Sequence, residues 1–208
     1  MNPQTLKMIV AAFSMKREIK LFFFTVAIIC MLPILLVIMI SQAGINLVSN
    51  VIATVNPQTF LVEIHNPTDG SIVDTISQPR VWPINGPVTA DFGETHLPWS
   101  LLHSGIDIAS PTHQIGDPIM AFMDGKVIYA AETPEGLGRH VIIDHGHHML
   151  SYYGHMNTID AIVGQEVTMG TVLGTRGSTG WSTGPHLHFQ ITIFGIPVNP
   201  RLFLEGNP

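Results

Sequence analysis

Two short motifs carry the residues whose types and spacing can do chemistry. His186-Leu187-His188 follows Ser182-Thr183-Gly184-Pro185, and far upstream stands His103-Ser104-Gly105-Ile106-Asp107. In an extended chain, side chains two apart fall on one face. His186 and His188 therefore point one way together, and so do His103, Gly105 and Asp107. Two imidazoles from one strand and an imidazole plus a carboxylate from another can converge on a single ion. Zn²⁺ accepts this nitrogen and oxygen set, and three protein ligands leave a fourth position open for water. An open position separates a catalytic zinc from a structural one, so the pattern points to a zinc hydrolase. Gly105 leaves room for close backbone approach at the first pair, and Gly184-Pro185 introduces the second rigidly.

The chain has eleven histidines, and most need no role. His65 falls in a polar stretch, while His96, His113 and His140 stand near loops or strand ends and read as exposed or locally hydrogen-bonded. His147 and His148 sit in a turn and read as solvated; His145 closes a strand after Asp144 and reads as structural or supporting. His155 ends the strand-like run Tyr152-Tyr153-Gly154-His155-Met156, where a side chain can reach over a sheet edge. The residues alone leave its role open.

The elements that must position these residues lie outside a membrane. Residues 21–40 carry no charge, and all but Thr25 and Pro33 are apolar. As a helix rising ~1.5 Å per residue the run covers about 30 Å, the hydrocarbon thickness of a bilayer. Ser41-Gln42-Ala43 offers small residues for signal cleavage, but a signal core is usually only ~7–15 residues, so an uncleaved anchor is expected. Lys7, Lys16, Arg17 and Lys20 precede the span and no base follows before Arg80. The positive-inside rule puts residues 1–20 in the cytoplasm of a bacterial cell and everything after residue 40 outside. That outer part holds five bases against fourteen acids, a poor partner for a phosphate backbone, and nucleic acid is excluded. Cys30, the single cysteine, lies within the span, so neither an intrachain disulfide nor a cysteine zinc site exists.

Residues 41–80 are rich in Asn, Thr, Ser and Pro and read as a stalk, or as a regulatory linker folded over the active site. From Val81 to the end the texture is short β-prone runs broken by glycine and proline. Asp124-Gly125, between Pro118–Phe122 and Lys126–Tyr129, predicts a hairpin. Residues 140–143 and 149–153 bracket a second turn, and His188–Phe194 forms another strand. No segment there keeps a helical period, so residues 81–208 are expected to be an all-β domain, a compact antiparallel, barrel-like sheet preceded by one transmembrane helix. The N-terminus before the span is expected to be helical.

Residues 81–204 resemble the catalytic domain of the lysostaphin-type, or LytM-like, zinc endopeptidases of peptidase family M23. The matching pieces run in the family's order: Trp82-Pro83-Ile84-Asn85-Gly86, Phe92-Gly93, His103-x-Gly105-x-Asp107-Ile108-Ala109, then Asp124-Gly125. Asp144-His145-Gly146, Tyr153-x-His155 and Ser182-Thr183-Gly184-Pro185-His186-Leu187-His188-Phe189 complete the series. The resemblance implies that His103, Asp107 and His188 hold one Zn²⁺ per chain, with His186 and His155 flanking the attacking water as catalytic residues. Gln190 stands where the family commonly has an acid, and Met156 replaces a frequent leucine. Tyr152, Tyr153 and Trp181 are candidate liners of the substrate groove.

The implied activity is a membrane-anchored zinc metalloendopeptidase acting on peptidoglycan peptides. The chain lacks His-Glu-x-x-His, so a histidine must replace the glutamate base of that protease class. Two other functions fit the same residues: a non-catalytic activator of other wall hydrolases, and a wall-opening component of a secretion or conjugation apparatus with envelope partners. The oligomeric state, the scissile bond and any inhibition by residues 41–80 are not legible.

Overall fold

The computed structural model describes residues 3–95, 102–112, 114–204 and 206. His96 and His113 lie outside the described residues. Met1–Ser41 form one compact unit and Gln42–Pro208 a second.

Helix α1 runs from Pro3 to Ile52, and its Ile19–Ile52 stretch is long and apolar enough to cross a membrane. Phe22, Phe23, Phe24, Ile29 and Leu32 are all exposed on it, Phe23 at 65%. Consecutive residues point to every side of a helix, so this one presents apolar surface all round, which suits lipid and not water. The hydroxyl of Thr25 donates to Leu21 O at 2.8 Å, so it stays satisfied in an apolar setting.

The second unit is built from strands. They are β1 (Ala53–Val55), β2 (Val62–His65), β3 (Ile72–Ile76), β4 (Val88–Ala90), β5 (Ile106–Ala109), β6 (Pro118–Met120) and β7 (Gly125–Glu132). There follow β8 (Arg139–Asp144), β9 (Met149–Gly154), β10 (Met156–Ile159), β11 (Glu166–Val167), β12 (Val172–Arg176), β13 (His186–Ile193) and β14 (Ile196–Val198). Eight of them make one sheet in the order β11-β7-β8-β9-β13-β5-β4, with β14 also on β13. Every pairing among the described residues is antiparallel. The expected all-β architecture behind one apolar helix is present.

Alternation along β13 sets the site. Leu187, Phe189, Ile191 and Ile193 enter the hydrophobic core, which leaves His186, His188 and Gln190 together on the opposite face. The register places His188 between Asp107 of β5 and Gly154 of β9. Below the end of β5, buried Arg176 pairs with Asp117 and donates to Ala109 O at 2.8 Å, fixing that strand's exit.

Two local expectations change. Residues 41–80 are more ordered than their polar composition suggests: α1 continues to Ile52, and β1, β2 and β3 form a sheet of their own. Val62 and Ile64 alternate inward with Ile76, and Ser49 accepts a hydrogen bond from Asn199 N–H at 2.8 Å. The polar composition hid this short period-two pattern. Asp124-Gly125 is not the turn of a hairpin either, because β6 pairs with β12 and β7 pairs with β8. Glycine is needed at 125 for close approach: a Cβ there would sit 2.6 Å from Asp144 O. The other predicted turn, His145–His148, does join β8 to β9.

Candidate metal centre

His103 and Asp107 arrive from the segment leading into β5 and from β5 itself, and His188 from the neighbouring β13. Their donor atoms form a nearly equilateral triangle. His103 Nε2 lies 2.9 Å from His188 Nδ1, and each is 3.0 Å from Asp107 Oδ1. Tetrahedral zinc ligands at roughly 2.0–2.1 Å from a common ion stand about 3.3 Å from one another, close to these edges. All three residues are buried.

The hydrogen bonds behind the rings show which atoms carry lone pairs. His103 Nδ1 is 3.1 Å from Asp91 O. A carbonyl oxygen only accepts, so Nδ1 carries the proton and Nε2 turns its lone pair on the cluster. Metal-ligating histidines are held in this way. A lone pair and a carboxylate oxygen 3.0 Å apart call for a positive centre between them. Burial disfavours charge on His103, but the hydrogen bond and charge of Asp107 outweigh it and raise the imidazole's pKa. Burial acts on Asp107 in the opposite sense, yet His103 and His188 hold its pKa far below the usual carboxylate range. The donor set therefore fits a divalent cation.

Two more imidazoles stand beside the triangle. His155 occupies the single residue between β9 and β10, with its backbone in the left-handed region at φ 61°. Its Nδ1–H donates to Thr179 O at 2.7 Å, leaving Nε2 as an acceptor. Burial and the nearby His186 and His188 push its pKa down to about 4, so the ring is neutral near pH 7. His186 donates from Nδ1 to Gly184 O at 2.8 Å, and its Nε2 lies 3.6 Å from Asp107 Oδ2. The two ring centroids are 4.7 Å apart. The structure thus brings together all five sequence-predicted residues, His103, Asp107, His155, His186 and His188.

A cavity of about 510 Å³ opens over them, with Thr89, Leu137, Trp181, Thr183 and Gln190 in its walls. Trp181 lines this cavity and is 52% exposed. Tyr153 is not a groove residue. It is 0% exposed and pairs across the strands with Phe189, on the core side of the sheet. Its hydroxyl accepts from Phe122 N–H at 3.0 Å. Tyr152 is half-buried and, among the described residues, does not line the cavity. Nor does any residue of 41–80. Leu137, in a loop, and Thr89, on β4, escaped the sequence reading because their surroundings carry no chemical signature; the carbonyls of Asp91, Thr179 and Gly184 escaped it because any residue type supplies one.

The remaining described histidines stand outside this cluster. His65 bonds Thr54 Oγ1 and Gly70 O, and His140 bonds Gly138 O. His147 is not simply solvated: its Nδ1 pairs with Asp74 of β3 at 2.5 Å. His148 is exposed and stacks on Phe194.

A β13-centred antiparallel sheet carrying a His–Asp–His donor cluster defines the class, a domain with the M23 peptidase fold. Residues 101–200 match the model of peptidase family M23, which marks a peptidase M23 domain in this part of the chain. It is 39% identical over 123 residues to the murein hydrolase activator NlpD of Escherichia coli, covering 59% of this chain and 30% of that protein. Peptidoglycan DD-endopeptidase ShyA of Vibrio cholerae is 39% identical over 97 residues, 47% of this chain and 22% of that one. The catalytic domain of lysostaphin from Staphylococcus simulans aligns with a TM-score of 0.53 at 28% identity, over 57% of this chain and 91% of that chain. The chain spans less than a third of the length of these curated relatives. Both are named for work on peptidoglycan, one as an enzyme and one as an activator.

Proposed function

We propose that the chain is a membrane-anchored zinc metalloendopeptidase that hydrolyses peptide bonds in the stem or cross-bridge peptides of peptidoglycan. The observation that carries this reading is the complete set of five side chains. Three offer donor atoms within 4.8 Å of one another, and two imidazoles stand beside them with their Nδ1 protons engaged elsewhere. One zinc ion held by His103, Asp107 and His188 would supply, when bound, a Lewis acid for the scissile carbonyl and an acidified water.

The chain's own residues do the rest. His155 Nε2 is a free lone pair on a ring that Thr179 O holds in place, so it accepts the proton of the attacking water. The imidazolium so formed becomes a donor to the developing oxyanion, and later gives its proton to the leaving amine. His186, held by Gly184 O and facing the same space, shares that work. Trp181 at the cavity wall grips the substrate peptide. Helix α1 crosses the cytoplasmic membrane with residues 1–20 inside, and holds the acidic domain on the wall side.

The test is digestion of defined muropeptides by the full chain in detergent, read by mass spectrometry. New amine and carboxyl termini appear, vanish with a chelator and return with zinc. Undiminished cleavage by chelator-treated protein sinks the reading. The likeness to NlpD supports a second one, in which the domain activates another wall hydrolase. In that case the chain alone releases nothing from sacculi and accelerates an added hydrolase. Work inside a secretion or conjugation apparatus would show as co-purification with membrane partners.

A further inference from the structure

We propose that Gln190, braced by Ser104, is a positioning residue for His188, and that its amide oxygen is the acceptor that receives the Nε2 proton when Nδ1 turns its lone pair to the metal. The proposal further holds that an uncharged group at this position sets metal affinity below what a carboxylate would give. It rests on the zinc reading above.

Gln190 lies two residues beyond His188 on β13, on the same face. Its Oε1 is 3.5 Å from His188 Nε2, and Ser104 Oγ donates to the same oxygen at 2.5 Å. Ser104 adjoins His103, so each of the two bracing side chains comes from the stretch of chain that supplies a neighbouring ligand. The backbone closes over this edge of the ring as well: a Cβ on Gly105 would lie 3.0 Å from His188 Nε2 and 2.3 Å from Phe189 O. Water has little room there, and His188 is buried.

A neutral imidazole holds one proton and places it on the nitrogen with the better acceptor. On the Nδ1 side stands Asp107 Oδ1 at 3.0 Å, a full charge, which would draw the proton into the space a metal needs. On the Nε2 side stands only the Gln190 amide, at the outer limit of hydrogen-bond length. Ser104 keeps that amide oxygen, rather than its NH₂, turned to the ring, because a hydroxyl donating at 2.5 Å needs an acceptor. Without a cation the Nδ1 side thus holds the stronger acceptors, Asp107 Oδ1 at 3.0 Å and the His103 Nε2 lone pair at 2.9 Å; a cation that claims the Nδ1 lone pair sends the proton to Nε2, where the Gln190 amide receives it. A carboxylate at 190 would attract Nε2–H more strongly and raise the basicity of Nδ1, as carboxylates behind metal-bound histidines do. An alkyl group would leave Nε2–H without that acceptor in the metal-bound form.

The experiment is zinc affinity of the full chain in detergent, with Zn²⁺ alone as probe, by competition with a chromogenic chelator. Gln190→Leu is expected to weaken binding by roughly 10–100-fold and Gln190→Glu to tighten it by about 10-fold. Ser104→Ala weakens it less than Gln190→Leu. A purely structural role for Gln190 predicts that Glu, with its desolvated charge, does no better than Gln. Equal or weaker zinc binding by Gln190→Glu therefore overturns the proposal, even if the Leu variant fails to fold. If the unsubstituted chain takes up no zinc, the metal reading falls and this proposal with it; uptake indifferent to residue 190 overturns this proposal alone.

Discussion

At the scale of residues, the site divides five side chains into two jobs by what stands behind each ring. His188 is tied into the donor triangle with Asp107, whereas His155 and His186 spend their Nδ1 protons on carbonyls outside it. His155→Ala and His186→Ala are therefore expected to keep zinc and lose ~10²–10⁴ in kcat. His188→Ala should lose zinc as well, measured by metal analysis beside turnover. Equal zinc loss in all three variants would end this division of labour. His186 and His188 were legible because period-two spacing on β13 puts them on one face whatever the register, whereas His103 precedes β5 and reaches Asp107 through the segment between them. Tyr153 was not legible, because its face depends on pairing: opposite Phe189 it enters the core, and one residue on, Gly154 faces His188. Trp181→Ala is expected to raise KM for muropeptides by roughly 2–10-fold, as the loss of one aromatic contact would. Tyr153→Phe should leave KM unchanged and lower stability instead by about 1 kcal/mol. A KM shift in the tyrosine variant, at unchanged stability, would return it to the groove.

At the scale of elements, the sheet of β1, β2 and β3 is the part least visible beforehand. Its strands are short, and the Asn-Pro and Asp-Gly turns between them give residues 53–76 the composition of a linker. What declares a folded element is the inward alternation of Val62 and Ile64, too brief to outweigh the surrounding polar residues. The difference is measurable. Ile64 is fully buried, so Ile64→Ala should destabilise the chain by about 2–5 kcal/mol in chemical unfolding. A stalk residue would change stability by no more than ~0.5 kcal/mol. The Asp124-Gly125 pair teaches the converse lesson. The dipeptide is a strong hairpin signal, but here the glycine answers the backbone of β8 passing within van der Waals reach, a long-range fact that local sequence does not contain.

At the scale of the whole molecule, a histidine outside the site contributes to the acid sensitivity of the fold. His145 is buried at the end of β8, with Nδ1 2.6 Å from Asp124 O and Nε2 2.7 Å from Ser151 Oγ. The Asp124 carbonyl takes the Nδ1 proton, so a neutral ring accepts at Nε2 from the serine. Burial pushes its pKa from 6.5 down to about 4, despite the opposing carbonyl and the charges of Asp144 and Asp124. The sign follows by linkage. Above pH 6.5 neither the folded nor the unfolded chain protonates this ring, and its contribution to stability is complete. As pH falls below 6.5 the unfolded chain takes up a proton that the folded chain refuses, and stability is lost until about pH 4, where both are charged. Between pH 7 and pH 5 this one residue should remove about 2 kcal/mol. Unfolding of the full chain in detergent, followed by tryptophan fluorescence at both pH values, measures it. His145→Gln keeps a donor and an acceptor but cannot titrate, so its stability should fall by about 2 kcal/mol less over the same interval. If wild type and variant lose stability in parallel, the acid sensitivity of the domain lies elsewhere.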